Sequence, residues 1–297
     1  MILVAGATGL LGTEICRRLR GASHPVRALV RATAAPDKVE KLLSMGASTV
    51  LADLKDPPSL ARACAGIEAV ITTASSTLSR QEGDSIETVD RLGQLCLIDA
   101  AKNAAIRQFV HISIPLDLHY DCPLFRAKRE VESAVEGSGM DYTVLHAGYF
   151  MEVWLSPALG FDYANGRVTL YGSGERPLSW VSYRDVAGFA VDSLTNHAAQ
   201  NRRLAVAGLE MVTPREVVRV FENVSGRSFA VEKVPQEALE KQYAEAKDPM
   251  SRSFAALMLE YAHGCPMDVR ETLQLMPRTL ATVRDYAMAV RGSREKR

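Results

Sequence analysis

The chain has 297 residues, 47% of them hydrophobic and 24% charged, which is typical of a globular protein with one large or two modest cores. Lysine plus arginine equals aspartate plus glutamate at 35 each, so no overall field would attract nucleic acid or a membrane. Five scattered cysteines without a C-x-x-C pair indicate free thiols in a reducing cytoplasm rather than disulfides or a zinc site. No signal peptide or membrane-spanning run is expected.

The chain opens with a short apolar run at residues 2–5, which is typical of a buried parallel strand. Three glycines follow at a spacing of three, and a helical pattern comes directly after them. Such a turn lets the backbone approach a pyrophosphate closely, while free N–H groups and the helix dipole hold its negative charge. The predicted cofactor contacts in this turn are Gly6, Thr8, Gly9, Leu10, Leu11 and Gly12.

Strands and helices alternate through the first half of the chain. Further strands are predicted over residues 26–31, 48–52, 69–73, 108–113 and 142–146. Helices are predicted from Pro36 towards Gly46 and over residues 56–65, about 86–105 and 125–135, with a polar loop over 74–84. This rhythm predicts an α/β fold with a doubly wound parallel Rossmann sheet.

The rhythm breaks near residue 151. Asn165-Gly166 predicts a turn beside a strand-like run, Asp185 is the expected N-cap of a helix to residue 194, and Thr213 with Glu216 forms a capping-box pattern. Further helices are predicted near residues 236–247, 251–263 and 279–290, followed by a solvated tail over 291–297. We expect residues 1–150 to form the dinucleotide-binding domain, and residues 151–297 to form a smaller, interleaved α+β portion that binds substrate.

The end of the second predicted strand indicates which dinucleotide is bound. NAD binders usually carry a carboxylate there for the ribose 2′-hydroxyl, and NADP binders carry a cation for the 2′-phosphate. Arg31 occupies this place, 19 residues after Gly12, and no carboxylate lies between it and Asp37. A guanidinium binds phosphate in a bidentate manner, so NADP(H) is the expected cofactor and NAD(H) is possible.

Several motifs resemble the NmrA-like group of atypical short-chain dehydrogenases. They are G-A-T-G-L-L-G at 6–12, Arg31, Asp53-Leu54, H-I-S at 111–113, F-R-A-K-R-E-V-E at 125–132, Y-T-V-L-H-A-G-Y-F-M at 142–151 and V-S-Y-R-D-V-A at 181–187. The resemblance implies adenine contact at Asp53 and Leu54, and ribose contact at Thr73, Ala74 and Ser75. It also implies nicotinamide contact at Ser113, Lys128, Ala147, Gly148, Tyr149 and Phe150.

The catalytic residues of this family are only partly matched. Short-chain dehydrogenases typically use Tyr-x-x-x-Lys, in which the lysine lies one helical turn from the tyrosine and lowers its pKa. Lys128 matches the lysine, but Leu124 stands at the tyrosine position. The resemblance to isoflavone reductases implies that Lys128 holds the nicotinamide ribose or acts itself. Candidate substitute acids near strand ends are His119, Tyr120, His146 and Tyr149.

Two functions from different classes remain open. One is an NADP(H)-dependent oxidoreductase that transfers hydride to a small apolar, enone or quinone-like acceptor, with residues 151–159 and 250–263 lining its pocket. A core helix is an equally good account of residues 250–263. The other is an NADP(H)-binding redox sensor, regulator or assembly factor without turnover, which Leu124 favours. Hydrolase, P-loop and metalloenzyme motifs are absent from the sequence, so no metal is expected. The expected partner is a small-molecule acceptor, and the expected state is a monomer or homodimer.

Overall fold

The computed structural model describes residues 1–78 and 81–294. The chain divides into two compact units that interleave along the sequence. The first unit contains Met1–Ile114, Pro123–His146 and Val186–Leu204. The second unit contains Pro115–Cys122, Ala147–Asp185 and Ala205–Arg297.

Strands and helices alternate in the order that the sequence predicts for the first half. The strands are β1 (Ile2–Ala5), β2 (Val26–Val30), β3 (Ser48–Leu51), β4 (Ala69–Thr72), β5 (Gln108–Ser113), β6 (Asp141–Ala147), β7 (Tyr149–Phe150), β8 (Phe161–Asp162), β9 (Arg167–Tyr171), β10 (Leu178–Val181), β11 (Arg202–Val206), β12 (Met211–Val212) and β13 (Ala230–Val234). The helices are α1 (Leu10–Gly21), α2 (Pro36–Ser44), α3 (Pro57–Cys64), α4 (Leu92–Asn103), α5 (Pro123–Glu136), α6 (Met151–Trp154), α7 (Tyr183–Asp192), α8 (Pro214–Ser225), α9 (Gln236–Glu245), α10 (Pro249–His263), α11 (Arg270–Leu275) and α12 (Val283–Arg294). A π-helical turn, Ile86–Arg91, leads directly into α4.

Seven strands form one central sheet in the order β3-β2-β1-β4-β5-β6-β11. The pairings from β3 through β6 are all parallel. Every residue of β1 and β4 is buried, which explains why these strands are continuous apolar runs in the sequence. The strand order reverses between β1 and β4, and the carboxyl ends of strands at such a point form the usual ligand crevice of an open α/β sheet. The predicted fold class is therefore confirmed.

The core of the first unit packs helices against this sheet. Phe109 of β5 and Leu3 of β1 are fully buried in a cluster that also contains Leu97 of α4 and Val131 of α5. Both helices turn an apolar stripe towards the sheet, as their periodic patterns predict. The apolar stripe of each helix therefore determines which of its residues pack against the sheet.

The second unit contains two three-stranded sheets, ordered β12-β10-β7 and β13-β9-β8. Its core is rich in aromatic rings. They include Tyr149, Phe161, Trp180, Phe221 and Tyr261. Within the described residues, no helix has the length and apolar character needed to cross a membrane.

The predicted elements differ from the structure in several places, and the helix α11 and the strand β13 have no counterpart in the prediction. The edge strand β11 has no counterpart in the sequence prediction, because it begins with two exposed arginines and has only the short apolar stretch from Leu204 to Val206. The helix predicted over 86–105 begins with the π-helical turn rather than a regular α-helix. The N-cap prediction for Asp185 is wrong: α7 already begins at Tyr183, and the Asp185 carboxylate accepts the Ala281 N–H at 2.9 Å. The tail predicted from residue 291 is helical to Arg294; residues 295–297, like 79–80 of the predicted loop, lie outside the described residues.

The capping box at the start of α8 gives a test of local stability. The Thr213 hydroxyl accepts the Glu216 N–H at 3.2 Å, and the Glu216 carboxylate accepts the Thr213 N–H at 2.7 Å. We expect Thr213→Ala to lower the free energy of unfolding by about 1 kcal/mol in denaturant titration, and Thr213→Ser to retain most of it. The hydrogen bond from the Thr213 N–H lowers the pKa of Glu216, so its contribution is complete at neutral pH and is lost as the pH falls through that lowered value. Equal stability of the alanine and serine variants would contradict this role.

Candidate functional site

The glycine turn between β1 and α1 has no room for side chains at two of its three glycines. Gly6 has a φ of +79°, and a Cβ there would lie 2.6 Å from the Thr73 hydroxyl. A Cβ on Gly12 would lie 2.2 Å from the Gly6 carbonyl oxygen. Gly9 is the N-cap of α1 and brings no side chain that could accept the N–H groups of the first helical turn. These N–H groups, with the helix dipole, fit the pyrophosphate of a dinucleotide.

The predicted phosphate-binding arginine already has an acidic partner. Arg31 contacts the Asp84 carboxylate at 2.7 Å, and the Lys55 ammonium contacts its other oxygen at 2.6 Å. The Asp84 side chain is only 1% exposed, whereas those of Arg31 and Lys55 are 25% and 27% exposed. Burial alone would raise the pKa of Asp84, but the hydrogen bonds from Lys55 and Arg31 outweigh it and hold the pKa below its usual value. One buried carboxylate therefore holds two cations, Arg31 after β2 and Lys55 after β3.

The two residues expected at the adenine differ in environment. Asp53 accepts the Lys55 N–H at 2.8 Å and lies 3.9 Å from the Lys55 ammonium. Leu54 is buried in the core of the first unit. Asp53 thus belongs to the same charged group as Arg31, Lys55 and Asp84, in which two positive and two negative charges balance.

The loop after β4, expected to contact ribose, is held by Gln94 of α4. The Gln94 side chain accepts the Thr72 hydroxyl at 3.0 Å and donates to the Ala74 carbonyl at 2.8 Å. Thr73, Ala74 and Ser75 stay partly exposed at the strand end. The loop is therefore fixed from beneath, while its exposed residues lie at the carboxyl edge of the sheet.

Lys128 is buried beside the same loop. Its ammonium lies 3.3 Å from one oxygen of Asp90, whose side chain is completely buried in the π-helical turn. The other Asp90 oxygen accepts the N–H of Ser76 at 3.0 Å and the Ser76 hydroxyl at 2.6 Å. Asp90 thus brings the predicted lysine next to the predicted ribose loop.

Further polar side chains lie beneath β5 and β6. The Ser113 hydroxyl, expected near the nicotinamide, donates to Glu132 of α5. Glu132 also lies 3.6 Å from the His146 imidazole. Burial, reinforced by the charges of Lys128 and His146, lowers the pKa of His111 well below its usual value, so this imidazole is neutral. Neither ring nitrogen of His111 has a hydrogen-bond partner among the described residues.

The remaining predicted nicotinamide contacts, Ala147 to Phe150, belong to the second unit. The Gly148 N–H donates to Val206 at 2.9 Å, and a Cβ on Gly148 would lie 2.4 Å from the Ser179 carbonyl oxygen. The Tyr149 ring packs against Trp154 with ring centroids 4.9 Å apart. Burial raises the pKa of Tyr149 well above its usual value, which makes it a weaker acid than a free tyrosine.

Two other candidate acids, His119 and Tyr120, lie together on the loop before α5. Their backbone N–H groups both donate to the buried Glu260 of α10, at 2.6 and 2.7 Å. The His119 ring lies against His263 with centroids 3.7 Å apart, and its Nδ1 is 3.2 Å from Glu260. Burial and nearby carboxylates, including Glu240 and Glu260, raise the pKa of Tyr120. Glu260 therefore anchors this loop to α10.

Sequence reasoning missed Asp90 and Gln94. Both lie in the buried helical stripe that also contains Ile86, Val89 and Leu97. A carboxylate and an amide within an otherwise apolar stripe require buried partners, and this pattern would have drawn attention to them. Among the residues that the structure describes, no cluster of three His, Cys, Asp or Glu side chains could hold a metal ion.

Comparison with known proteins gives relatives over most of the chain. An NAD(P)H azoreductase from Xenophilus azovorans is 31% identical over 229 residues, 76% of this chain and 74% of its own. The photosystem II assembly factor Ycf39 of Cyanophora paradoxa is 32% identical over 244 residues, 80% of this chain and 73% of its own. A (4-alkanoyl-5-oxo-2,5-dihydrofuran-3-yl)methyl phosphate reductase from Streptomyces griseus is 32% identical over 291 residues, 97% of this chain and 96% of its own.

A solved structure supports the fold. The NADPH-dependent quinone oxidoreductase of Escherichia coli, complexed with NADPH, superposes with a TM-score of 0.77 at 20% identity, covering 98% of this chain and 99% of its own. The NmrA-like family matches residues 1–286. The chain therefore belongs to the NmrA-like family.

Proposed function

We propose that the protein is an NADP(H)-dependent oxidoreductase that reduces a small apolar, enone or quinone-like acceptor. The observation that carries this proposal is the buried ammonium of Lys128. It lies beside the loop after β4, at the carboxyl edge where ligands of such sheets bind. A lysine held in the interior by a matched carboxylate is far from the usual solvated lysine on a helix surface.

The reaction requires a hydride and a proton. A bound reduced nicotinamide supplies the hydride, which carries both electrons to the acceptor. The acceptor oxygen that gains negative charge then needs a positive group or a proton donor, and Lys128 offers both. The glycine turn orients the pyrophosphate, and the ribose loop that Gln94 holds positions the sugar.

NADP(H) is the preferred cofactor in this proposal because Arg31 and Lys55 converge at the end of the second strand. A 2′-phosphate brings up to two negative charges and binds a guanidinium strongly. The Asp84 carboxylate opposes phosphate binding, because it already forms ion pairs with both cations. Binding of NAD(H) is therefore possible, and Asp84 limits the preference for NADP(H).

The substrate pocket is proposed to use the aromatic core of the second unit. Residues of both predicted segments pack there: Met151 and Leu155 from one, and Tyr261 from the other. Trp154 stacks on Tyr261 with centroids 5.3 Å apart and an interplanar angle of 16°. Met151, Leu155 and Tyr261 are almost completely buried, so a pocket for a flat, apolar acceptor would border this core rather than lie within it. Reductases of azo and quinone compounds among the relatives support this acceptor class.

A second function has its own support. Leu124 is buried at the place of the usual catalytic tyrosine, and the Ycf39 relative is an assembly factor. An NADP(H)-binding regulator would bind both redox states of the cofactor without turnover. Titration of the purified protein with NADPH and NADP⁺, followed by absorbance after adding a quinone and enone panel, separates the two functions. Oxidation of NADPH that depends on the acceptor supports the reductase, and tight binding without oxidation supports the regulator.

The ammonium of Lys128 should be required for turnover. We expect Lys128→Met to lower acceptor-dependent NADPH oxidation by roughly 100-fold or more, as for loss of a general acid. Lys102→Met, which changes an exposed lysine of α4, serves as the control and should leave the rate unchanged. A rate within threefold of wild type for a folded Lys128→Met protein would exclude the proposed role.

The guanidinium of Arg31 should bind the 2′-phosphate. Arg31→Gln removes the cation without adding a second carboxylate beside Asp84. We expect the Kd for NADPH to rise about 10- to 100-fold, the value of one or two charge-assisted hydrogen bonds, while that for NADH changes little. Isothermal titration measures both, with Arg62→Gln as the exposed control. Equal weakening of both nucleotides would refute the phosphate role.

Removal of the competing carboxylate should have the opposite effect. Asp84→Asn keeps the shape of the side chain but frees positive charge on Arg31 and Lys55 for a phosphate. We expect the affinity ratio of NADPH to NADH to rise by about three- to tenfold, consistent with one partly screened charge. A lower ratio in the same titration would mean that Asp84 orients the cations rather than competing for them.

A further inference from the structure

The carboxylate of Asp90 lies in the π-helical turn and has no contact with solvent. The Asp90 side chain is 0% exposed, and the Lys128 side chain is 7% exposed. Removing two charges from water costs several kcal/mol per ion unless their mutual attraction and further hydrogen bonds offset the loss. Here Ser76 supplies both further hydrogen bonds, from its N–H and its hydroxyl. Asp90 is therefore held by the Lys128 ammonium at one carboxylate oxygen and by Ser76 at the other.

The backbone around Asp90 is unusual as well. The turn Ile86–Arg91 is π-helical, and it begins with a capping box in which Ser85 and Thr88 hold each other's backbone N–H groups. π-Helical turns are rare and occur mostly at functional sites. The extra residue in the turn changes the direction in which the following side chains leave the helix. Asp90 is the charged residue that this turn buries.

We propose that Asp90 is a positioning residue that fixes the Lys128 ammonium against the ribose loop. This inference rests on the proposed function, because it gives Lys128 its importance through contact with the cofactor. Asp90 itself does not reach the reacting atoms. It joins Ser76, one residue after the exposed segment Thr73–Ser75, to α5 through the ion pair, so the position of the ammonium follows the position of the loop.

Other charged groups near Lys128 do not replace this contact. Glu132 lies one helical turn further along α5, but its Oε1 accepts hydrogen bonds from Ser113 and Arg129, and its Oε2 lies 3.5 Å from the Arg203 guanidinium. His111 of β5 is completely buried, and burial together with the charge of Lys128 lowers its pKa well below the usual value. His146 faces Glu132 from β6. Asp90 is therefore the carboxylate in contact with the ammonium among the described residues.

The test is a double-mutant cycle on the full-length protein. The variants are Asp90→Asn, Lys128→Met and the double variant, with Asp99→Asn as a control that removes an exposed carboxylate from α4. The asparagine must turn its NH₂ group towards either the Ser76 N–H or the ammonium, and both are donors. One of the two contacts of Asp90 is thus lost. The measurements are the Kd for NADPH, the melting temperature and, where turnover exists, kcat.

If Asp90 positions Lys128, Asp90→Asn raises the Kd for NADPH about tenfold when Lys128 is present and changes it less than twofold in the Lys128→Met background. Each single variant also lowers the melting temperature, and the double variant recovers part of that loss, because it leaves no unpaired buried charge. A factor that is the same in both backgrounds would overturn the proposal, since it would mean that Asp90 acts only on the loop.

The failure of the proposed function would look different. Coupled binding effects without turnover would overturn the reductase and support the role of Asp90. Turnover without coupling would overturn the role of Asp90 and support the reductase. A wild-type protein that binds neither nucleotide would overturn both.

A milder variant covers the case in which Asp90→Asn does not fold. Ser76→Ala removes the hydroxyl contact at 2.6 Å and leaves both charges in place. We expect it to raise the Kd for NADPH about threefold when Lys128 is present and to have no effect in the Lys128→Met background. The same increase in both backgrounds would overturn the proposal.

Discussion

One buried ion pair, between Lys128 and Asp90, holds together the segments at the edge of the central sheet where a dinucleotide would bind. Lys128 and Asp90 come from α5 and the π-helical turn, 38 positions apart in the sequence, and each buried charge is destabilising without the other. Asp90 also accepts two hydrogen bonds from Ser76, in the loop after β4. The requirement that both charges be matched therefore fixes the spacing between α5 and that loop. Gln94 adds a second attachment one helical turn later, by donating to Ala74.

The same principle of a buried acid that gathers separate segments recurs twice. Asp84 collects Arg31 and Lys55 from the ends of two other strands, and its pKa is held low by them. Glu260 of the second unit accepts two consecutive backbone N–H groups from the loop at His119 and anchors it to α10. In each case the acid is almost completely buried and its partners are more exposed. The partners can therefore face a ligand while the acid keeps them in place.

The sequence predicted the strands of the first unit well and its charge pairing poorly. Buried parallel strands are apolar runs in the sequence, and the glycine spacing reflects a local steric requirement of the turn. Both features can therefore be recognised from the sequence alone. The pairing of Arg31 with Asp84 joins residues 53 positions apart, and no local pattern specifies it. The strand β11 escaped prediction because it lies at the edge of the sheet and starts with two exposed arginines. Asp185 is a residue type that is common at N-caps, but its carboxylate instead accepts a hydrogen bond from the distant Ala281 N–H.

The choice of acceptor in the proposed reaction depends on which group can act in place of the usual catalytic tyrosine. Leu124 is buried, and burial raises the pKa of Tyr149 and of Tyr120, the two tyrosine candidates in the second unit, so both give up a proton less readily than a free tyrosine. Reduction of a simple ketone would be slow without a good proton donor, because hydride addition leaves a strongly basic alkoxide. A quinone or enone spreads the charge over a conjugated system, so it needs less from an acid. A fixed ammonium nearby stabilises such an anion without transferring its proton in the same step. Under the proposed function, the buried lysine–carboxylate pair and the missing tyrosine therefore favour conjugated acceptors over isolated carbonyls.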